Sequence, residues 1–228
     1  IVLLKSDSFA FIIDIVSLRK ILNFGIPLLP HTIGGVLLAS SSKFFLANMI
    51  SNEAVGIYTV ALQVASVLLL IMISINQAWA PNLYEDLNSN PNEIVKLGIV
   101  KRTYKMMLFM VVMTLIFIIF VPYIFELFID ENYHSGIILS RIISVGFLMN
   151  GLYFLVTNYI LFSKKTNILS VITATISILG AVLNYYFILD YGITGAAYSL
   201  IIIFGMLFVT VFYYSNKLYR MPWLYMFK

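Results

Sequence analysis

Apolar residues run through this chain in long blocks broken by brief polar clusters. Six blocks reach the roughly 20 residues that a membrane-spanning helix needs. They cover about 22–49, 54–80, 105–128, 137–162, 168–189 and 194–215. Ser51-Asn52-Glu53 separates the first two, and Asp130 to His134 precedes the fourth. Ser163 to Asn167 precedes the fifth, and Asp190-Tyr191-Gly192 precedes the sixth. The longest break, Asn82 to Tyr104, holds Glu85, Asp86, Pro91 and Glu93 and predicts a short helix outside the membrane. Phe9 to Val16 is apolar but too short to cross, and reads as an interfacial helix or linker. The pattern predicts an all-α, polytopic membrane protein with six transmembrane helices.

Polar residues inside the blocks fall on lines. In the second span Thr59, Gln63, Ser66, Ser74 and Gln77 lie within about 40° of one line along the helix. Ser170, Thr173, Ser177, Gly180 and Asn184 do the same in the fifth. Thr32, Ala39, Ser40, Lys43 and Ala47 crowd one side of the first. Such faces turn away from lipid, toward protein or water. Small and hydroxyl residues also serve helix packing, which is the reading favoured for the fifth span. Two glutamines on one line, with Asn76 and Trp79-Ala80-Pro81 closing the span, favour a wet cavity for the second.

Two cations lie inside spans. A lysine at a helix centre costs about 2.5–3.5 kcal/mol on the insertion scale. Lys43 sits close enough to its span's end for the stem to snorkel outward, yet it shares a face with small polar residues. Arg141 is one turn into the fourth span, where snorkelling is the simpler account. His31, between Pro30 and Thr32, reads as structural or interfacial.

Composition strengthens the membrane reading. Hydrophobic residues make up 61% and charged residues 11%, against roughly 45–50% and about 25% in soluble domains. The other 12 basic residues, Lys5, Arg19, Lys20, Lys96, Lys101, Arg102, Lys105, Lys164, Lys165, Lys217, Arg220 and Lys228, fall on one side of the six-span arrangement. Loops on the other side carry Glu53, Asp130, Glu131 and Asp190 and no Lys or Arg. The positive-inside rule makes the basic side, with both chain ends, cytoplasmic. The net charge of +4 is therefore a topology signal, and its dispersal over separate segments argues against nucleic acid. The chain starts at Ile1, as a piece of a longer protein or a processed product would.

The sequence contains no cysteine, hence no disulfide or thiolate metal site. It has no phosphate-binding Walker loop and no His/Cys/carboxylate spacing for a metal. Glu85 and Asp86 are neighbours, not a pair flanking a cleft. Ser40-Ser41-Ser42 has no base within reach by sequence. A transporter is expected rather than an enzyme, with no cofactor.

Gly25-Ile26-Pro27-Leu28 opens the first span, Glu53-Ala54-Val55-Gly56-Ile57-Tyr58 opens the second, and Ala80-Pro81 closes it. Lys164-Lys165-Thr166 forms a turn before a hairpin with Asn184, Tyr191-Gly192-Ile193 and Gly195-Ala196-Ala197. In this order and spacing, from about Ile21 to Tyr214, the chain resembles the second half of Wzx-type oligosaccharide flippases. These belong to the multidrug/oligosaccharidyl-lipid/polysaccharide exporter superfamily.

The resemblance implies one six-helix lobe of a two-lobe transporter. Residues 1–20 would be the inter-lobe linker, 21–215 the lobe and 216–228 a cytoplasmic tail. It implies movement of an undecaprenyl-pyrophosphate-linked oligosaccharide across the bacterial inner membrane, for surface polysaccharides such as O-antigen and lipopolysaccharide. The partners would be that substrate, a preceding N-terminal lobe and membrane lipid. Lys43 would be a counter-ion for the pyrophosphate, with Arg141 a weaker candidate. Gln63, Ser66, Ser74 and Gln77 would meet sugar hydroxyls. The family often sets an acidic residue beside a basic one where Ser42-Lys43 stands, and only the cation is present here. The competing readings are a multidrug exporter of the same superfamily, and a membrane enzyme or scaffold of polysaccharide assembly.

Overall fold

The computed structural model describes residues 40–223 and 225. Residues 40–49 are helical (α1). Five long helices follow: α2 (Asn52–Asn88), α3 (Glu93–Phe128), α4 (Gly136–Phe162), α5 (Thr166–Tyr191) and α6 (Ile193–Leu218). One 3₁₀ turn, Glu131–Tyr133, stands between α3 and α4. Among the described residues there are no strands, and all five long helices are apolar enough to cross a membrane. The fold is an all-α polytopic membrane protein. Most of the first expected span, with Thr32, Ala39 and His31, lies outside the described residues, as do the expected linker and its interfacial helix.

Local chemistry sets the helix ends. Ser51 Oγ accepts from the Ala54 amide at 3.1 Å, starting α2 with Glu53 in its first turn. Asn92 Oδ1 accepts from the Val95 amide at 3.0 Å, starting α3. Each satisfies an amide that the first helical turn leaves bare. At the end of α4 the Lys164 amide donates to Leu161 and the Lys165 amide to Ile160, at 3.0 and 3.3 Å. Lys164 takes a φ of 55° in this left-handed stop.

The expected short helix over 82–104 is not a separate element. α2 continues without a break to Asn88, and α3 begins at Glu93. At 1.5 Å per residue their 37 and 36 residues are each about 55 Å long, well beyond a hydrocarbon core of about 30 Å. Leu83, Leu87, Ile99 and Val100 are buried in one cluster with Trp79 and Tyr159. The polar residues thus end the membrane-embedded stretch without ending the helices.

α4 is the central helix. It packs most extensively on α6, then on α2 and α3, while α5 packs mainly on α6. Small residues permit this closeness: a side chain at Gly146 would press on Leu200, and one at Gly151 on Met72. Beyond α6 the chain turns back, burying Met221 and Trp223. Tyr104 Oη donates to the Trp223 carbonyl at 3.1 Å, and the indole meets Tyr104, Tyr159 and Phe212 edge-on or tilted.

Candidate functional site: the polar faces of α1, α2 and α5

The polar line of α5 is consumed by packing. Ser170, Thr173, Ser177 and Asn184 are all buried. Asn184 Nδ2 donates to the hydroxyls of Ser41 and Ser42 on α1 at 3.1 and 3.0 Å. Its Oδ1 accepts from Ser199 on α6 at 3.0 Å. One amide therefore joins three helices, and Tyr58 of α2 reaches the same Ser42 hydroxyl.

Lys43 follows the anchored Ser42, about 100° further round the helix. Ser42 and Leu46 face the bundle interior, whereas Ser40 and Ala47 are exposed and Lys43 is half-exposed between these two faces. Two ion pairs occur among the described residues, Lys96–Glu93 at 2.8 Å and Arg102–Asp86 at 2.5 Å. Neither involves Lys43. Burial of Ser42 thus fixes the rotation of α1 and turns Lys43 toward the lobe's flank.

The line on α2 behaves unlike that on α5. Gln63, Ser74 and Gln77 are exposed, and Thr59 and Ser66 are half-exposed. Ser66 donates to the Gln63 carbonyl at 2.6 Å and Ser74 to the Leu70 carbonyl at 2.9 Å, both within α2. Neither glutamine amide bonds to another described residue. Gln63 also lines an open cleft of about 370 Å³ with Val60, Val67, Phe128, Asp130 and Tyr133. From Gln63 to Gln77 the line extends about 21 Å along the helix axis, a path through much of the membrane rather than one point.

Asn76 and Trp79, which closed that span in the sequence reading, turn the other way. Asn158 of α4 donates to Asn76 Oδ1 at 2.8 Å and accepts from Tyr84 Oη at 3.3 Å. Trp79 is buried, with the Arg102 guanidinium 5.6 Å from its ring centre. Sequence reasoning did not find this α2–α4 seam. The signal available was Asn76 lying on the opposite side of α2 from Gln63.

Arg141 is tied to α3. Its Nε donates to the Ile118 carbonyl at 3.2 Å, and the side chain is half-buried. The neighbouring Ser140 donates across α4 to the Ala61 carbonyl of α2 at 3.1 Å.

Residues 2–85 match the model of the polysaccharide biosynthesis protein family, the family of Wzx-type flippases. The matched part includes α1 and nearly all of α2, and with them Lys43, Gln63, Ser66, Ser74 and Gln77. No curated protein and no solved structure matches the chain.

Proposed function

We propose that this chain is one lobe of a transporter that moves a lipid-linked oligosaccharide across the bacterial inner membrane, with its basic end in the cytoplasm. The observation that carries the reading is the exposed line on α2. Asn184 on α5 is spent on neighbouring helices and the hydroxyls of Ser170, Thr173 and Ser177 are buried, while two glutamines and two serines on α2 are left partly or fully exposed. A helix does not present such a face to lipid without cost. A second lobe enclosing water against that face removes the cost and makes a polar path.

Lys43 supplies what the head of the carrier requires. A pyrophosphate cannot enter hydrocarbon uncompensated, and an ammonium without a carboxylate partner among the described residues is free to meet it. The glutamine amides both donate and accept, as sugar hydroxyls do. Because the line is longer than one sugar unit, different parts of it would serve inward- and outward-facing states as the lobes rock. Arg141, whose Nε is committed to α3, is a weaker candidate than Lys43 for the anion.

The family match at residues 2–85 supports polysaccharide assembly over drug export. Export of organic cations calls for carboxylates in the path, and Glu126 and Asp190 are both exposed near helix ends. A membrane enzyme or scaffold of the same assembly is the remaining alternative. Complementation decides among them. The complete protein, expressed in a strain lacking its own flippase and making a matched sugar repeat, is expected to restore surface polysaccharide. Lys43→Ala is expected to lose that restoration while remaining in the membrane, and Lys43→Arg to retain part of it. Restoration by Lys43→Ala at the wild-type level would remove the anion-binding role. No restoration by wild type would remove the flippase reading.

A further inference from the structure

At the basic end of α6, Tyr213, Asn216, Lys217, Arg220 and Met221 line an open cleft of about 360 Å³. Tyr213, Lys217 and Arg220 are four and three residues apart, so they follow one side of the chain as it leaves the membrane. All three are exposed. Neither cation has a carboxylate partner among the described residues. The two carboxylates paired at this end, Glu93 and Asp86, are taken by Lys96 and Arg102. From Tyr191 to Lys228 the sequence contains no Asp or Glu at all.

Asn216 adds a donor. Its Oδ1 accepts from the Met221 amide at 3.2 Å, which leaves its two N–H bonds for another acceptor. The bond also holds the returning chain, whose Met221 is buried and forms one wall. A phenol at the interface, then an ammonium, a guanidinium and an amide N–H, present donors and no carboxylate to the rim of the membrane. The last carbonyls of α6 would repel an anion. Here Tyr219 donates back to the Ser215 carbonyl at 2.8 Å, and Lys217 stands in the last turn.

We propose that this cleft binds the headgroup of an anionic phospholipid, with Lys217 and Arg220 on the phosphate, Asn216 donating to the headgroup and Tyr213 marking the interface. The occupant is a lipid because the cleft opens at the end of a membrane-spanning helix whose preceding turns leave apolar and aromatic side chains uncovered: Val209 and Tyr213 are 64% and 63% exposed. Cationic clefts at the cytoplasmic rim of helical bundles take anionic headgroups on the same grounds. This proposal stands apart from the transport reading and uses none of its residues.

The test is native mass spectrometry of the full chain, purified from vesicles of phosphatidylglycerol and phosphatidylcholine. Wild type is expected to retain phosphatidylglycerol selectively. Lys217→Gln/Arg220→Gln is expected to lower retention about ten- to thirty-fold, the scale of two rim cations acting on an anionic lipid. Lys164→Gln/Lys165→Gln, which removes two cations from another turn at the same end, is expected to leave it unchanged. Thermal unfolding in phosphatidylcholine checks that both variants fold. Equal loss in the two variants, or none in the first, overturns the proposal. So does protection of wild type by inorganic pyrophosphate alone as strong as that by phosphatidylglycerol, since the ligand is then a free phosphate.

Discussion

The Nε of Arg141 donates to the carbonyl oxygen of Ile118 at 3.2 Å, and Ile118 lies four residues before Pro122. In an α-helix that carbonyl takes its hydrogen bond from the amide of residue 122. Proline has no amide hydrogen, so Pro122 leaves the Ile118 oxygen without its helical donor in the midst of an apolar helix. Arg141, reaching from α4, fills the place. A cation that reads from the sequence as a snorkelling residue or an anion ligand is here the substitute donor for a proline-interrupted helix.

Arg141 and Pro122 should therefore be coupled. Arg141→Met is expected to destabilise the lobe, and to do so less once Pro122→Ala has returned an amide to Ile118. A double-mutant cycle of thermal unfolding in micelles is expected to give a coupling of about 1 kcal/mol. Additive effects would mean that the bond contributes nothing.

Asn184 and Gln63 should respond in opposite ways. Asn184→Leu removes three side-chain bonds that join α1, α5 and α6, at an expected cost of about 1–3 kcal/mol in thermal unfolding. Gln63→Leu removes no bond between described residues and is expected to stay within about 0.5 kcal/mol, while lowering transport. The reverse order would place the structural seam on α2.

The α5–α6 hairpin depends on glycine twice. Gly192 has φ 61° and ψ −138°, a region open essentially to glycine alone. A Cβ at Gly195 would lie 1.9 Å from the Phe187 carbonyl oxygen. Gly195→Ala is expected to cost about 1–3 kcal/mol by overpacking and to reduce the folded yield. Gly205→Ala, where a Cβ meets nothing within 4 Å, is expected to be neutral or to gain up to about 1 kcal/mol from helix propensity. Melting temperatures of the two variants separate these effects.

Lys164 holds a left-handed conformation at the stop of α4. Lys164→Gly relieves it and is expected to raise stability by about 1 kcal/mol, read as a higher melting temperature. A lower one would mean that the lysine side chain makes a contact outweighing its strain.

The span pattern was legible because lipid demands an apolar run of known length, and α4, α5 and α6 start and stop within a few residues of the runs that predict them. The ends of α2 and α3 were not legible in the same way. Asn82, Glu85 and Asp86 mark where lipid stops, but Leu83 and Leu87, four apart, keep the helix buried on one side. Polar lines were visible as lines, since helical period alone sets them. That Asn76 is spent on packing was not visible, because it depends on a partner far away in the chain: Asn158 meets it from 82 residues away. The bond of Arg141 to Ile118 was hidden for the same reason. Pro122 announces an unpaired carbonyl, but only the packing of α4 on α3 shows which donor answers it.

The central claim is that the α2 line faces water while the α5 line is dry. The chain has no cysteine, so single-cysteine variants report one position each. Cysteines at Gln63, Ser66, Ser74 and Gln77, in the complete protein in membranes, are expected to react with a membrane-impermeant maleimide applied from both sides. Cysteines at Ser177, which is buried, and at Val171 and Ile178, exposed apolar positions that the account turns toward lipid, are expected not to react. Reactivity at the four α2 positions no greater than at Val171 and Ile178 would contradict the account, because that face would then see lipid and not a path for sugar.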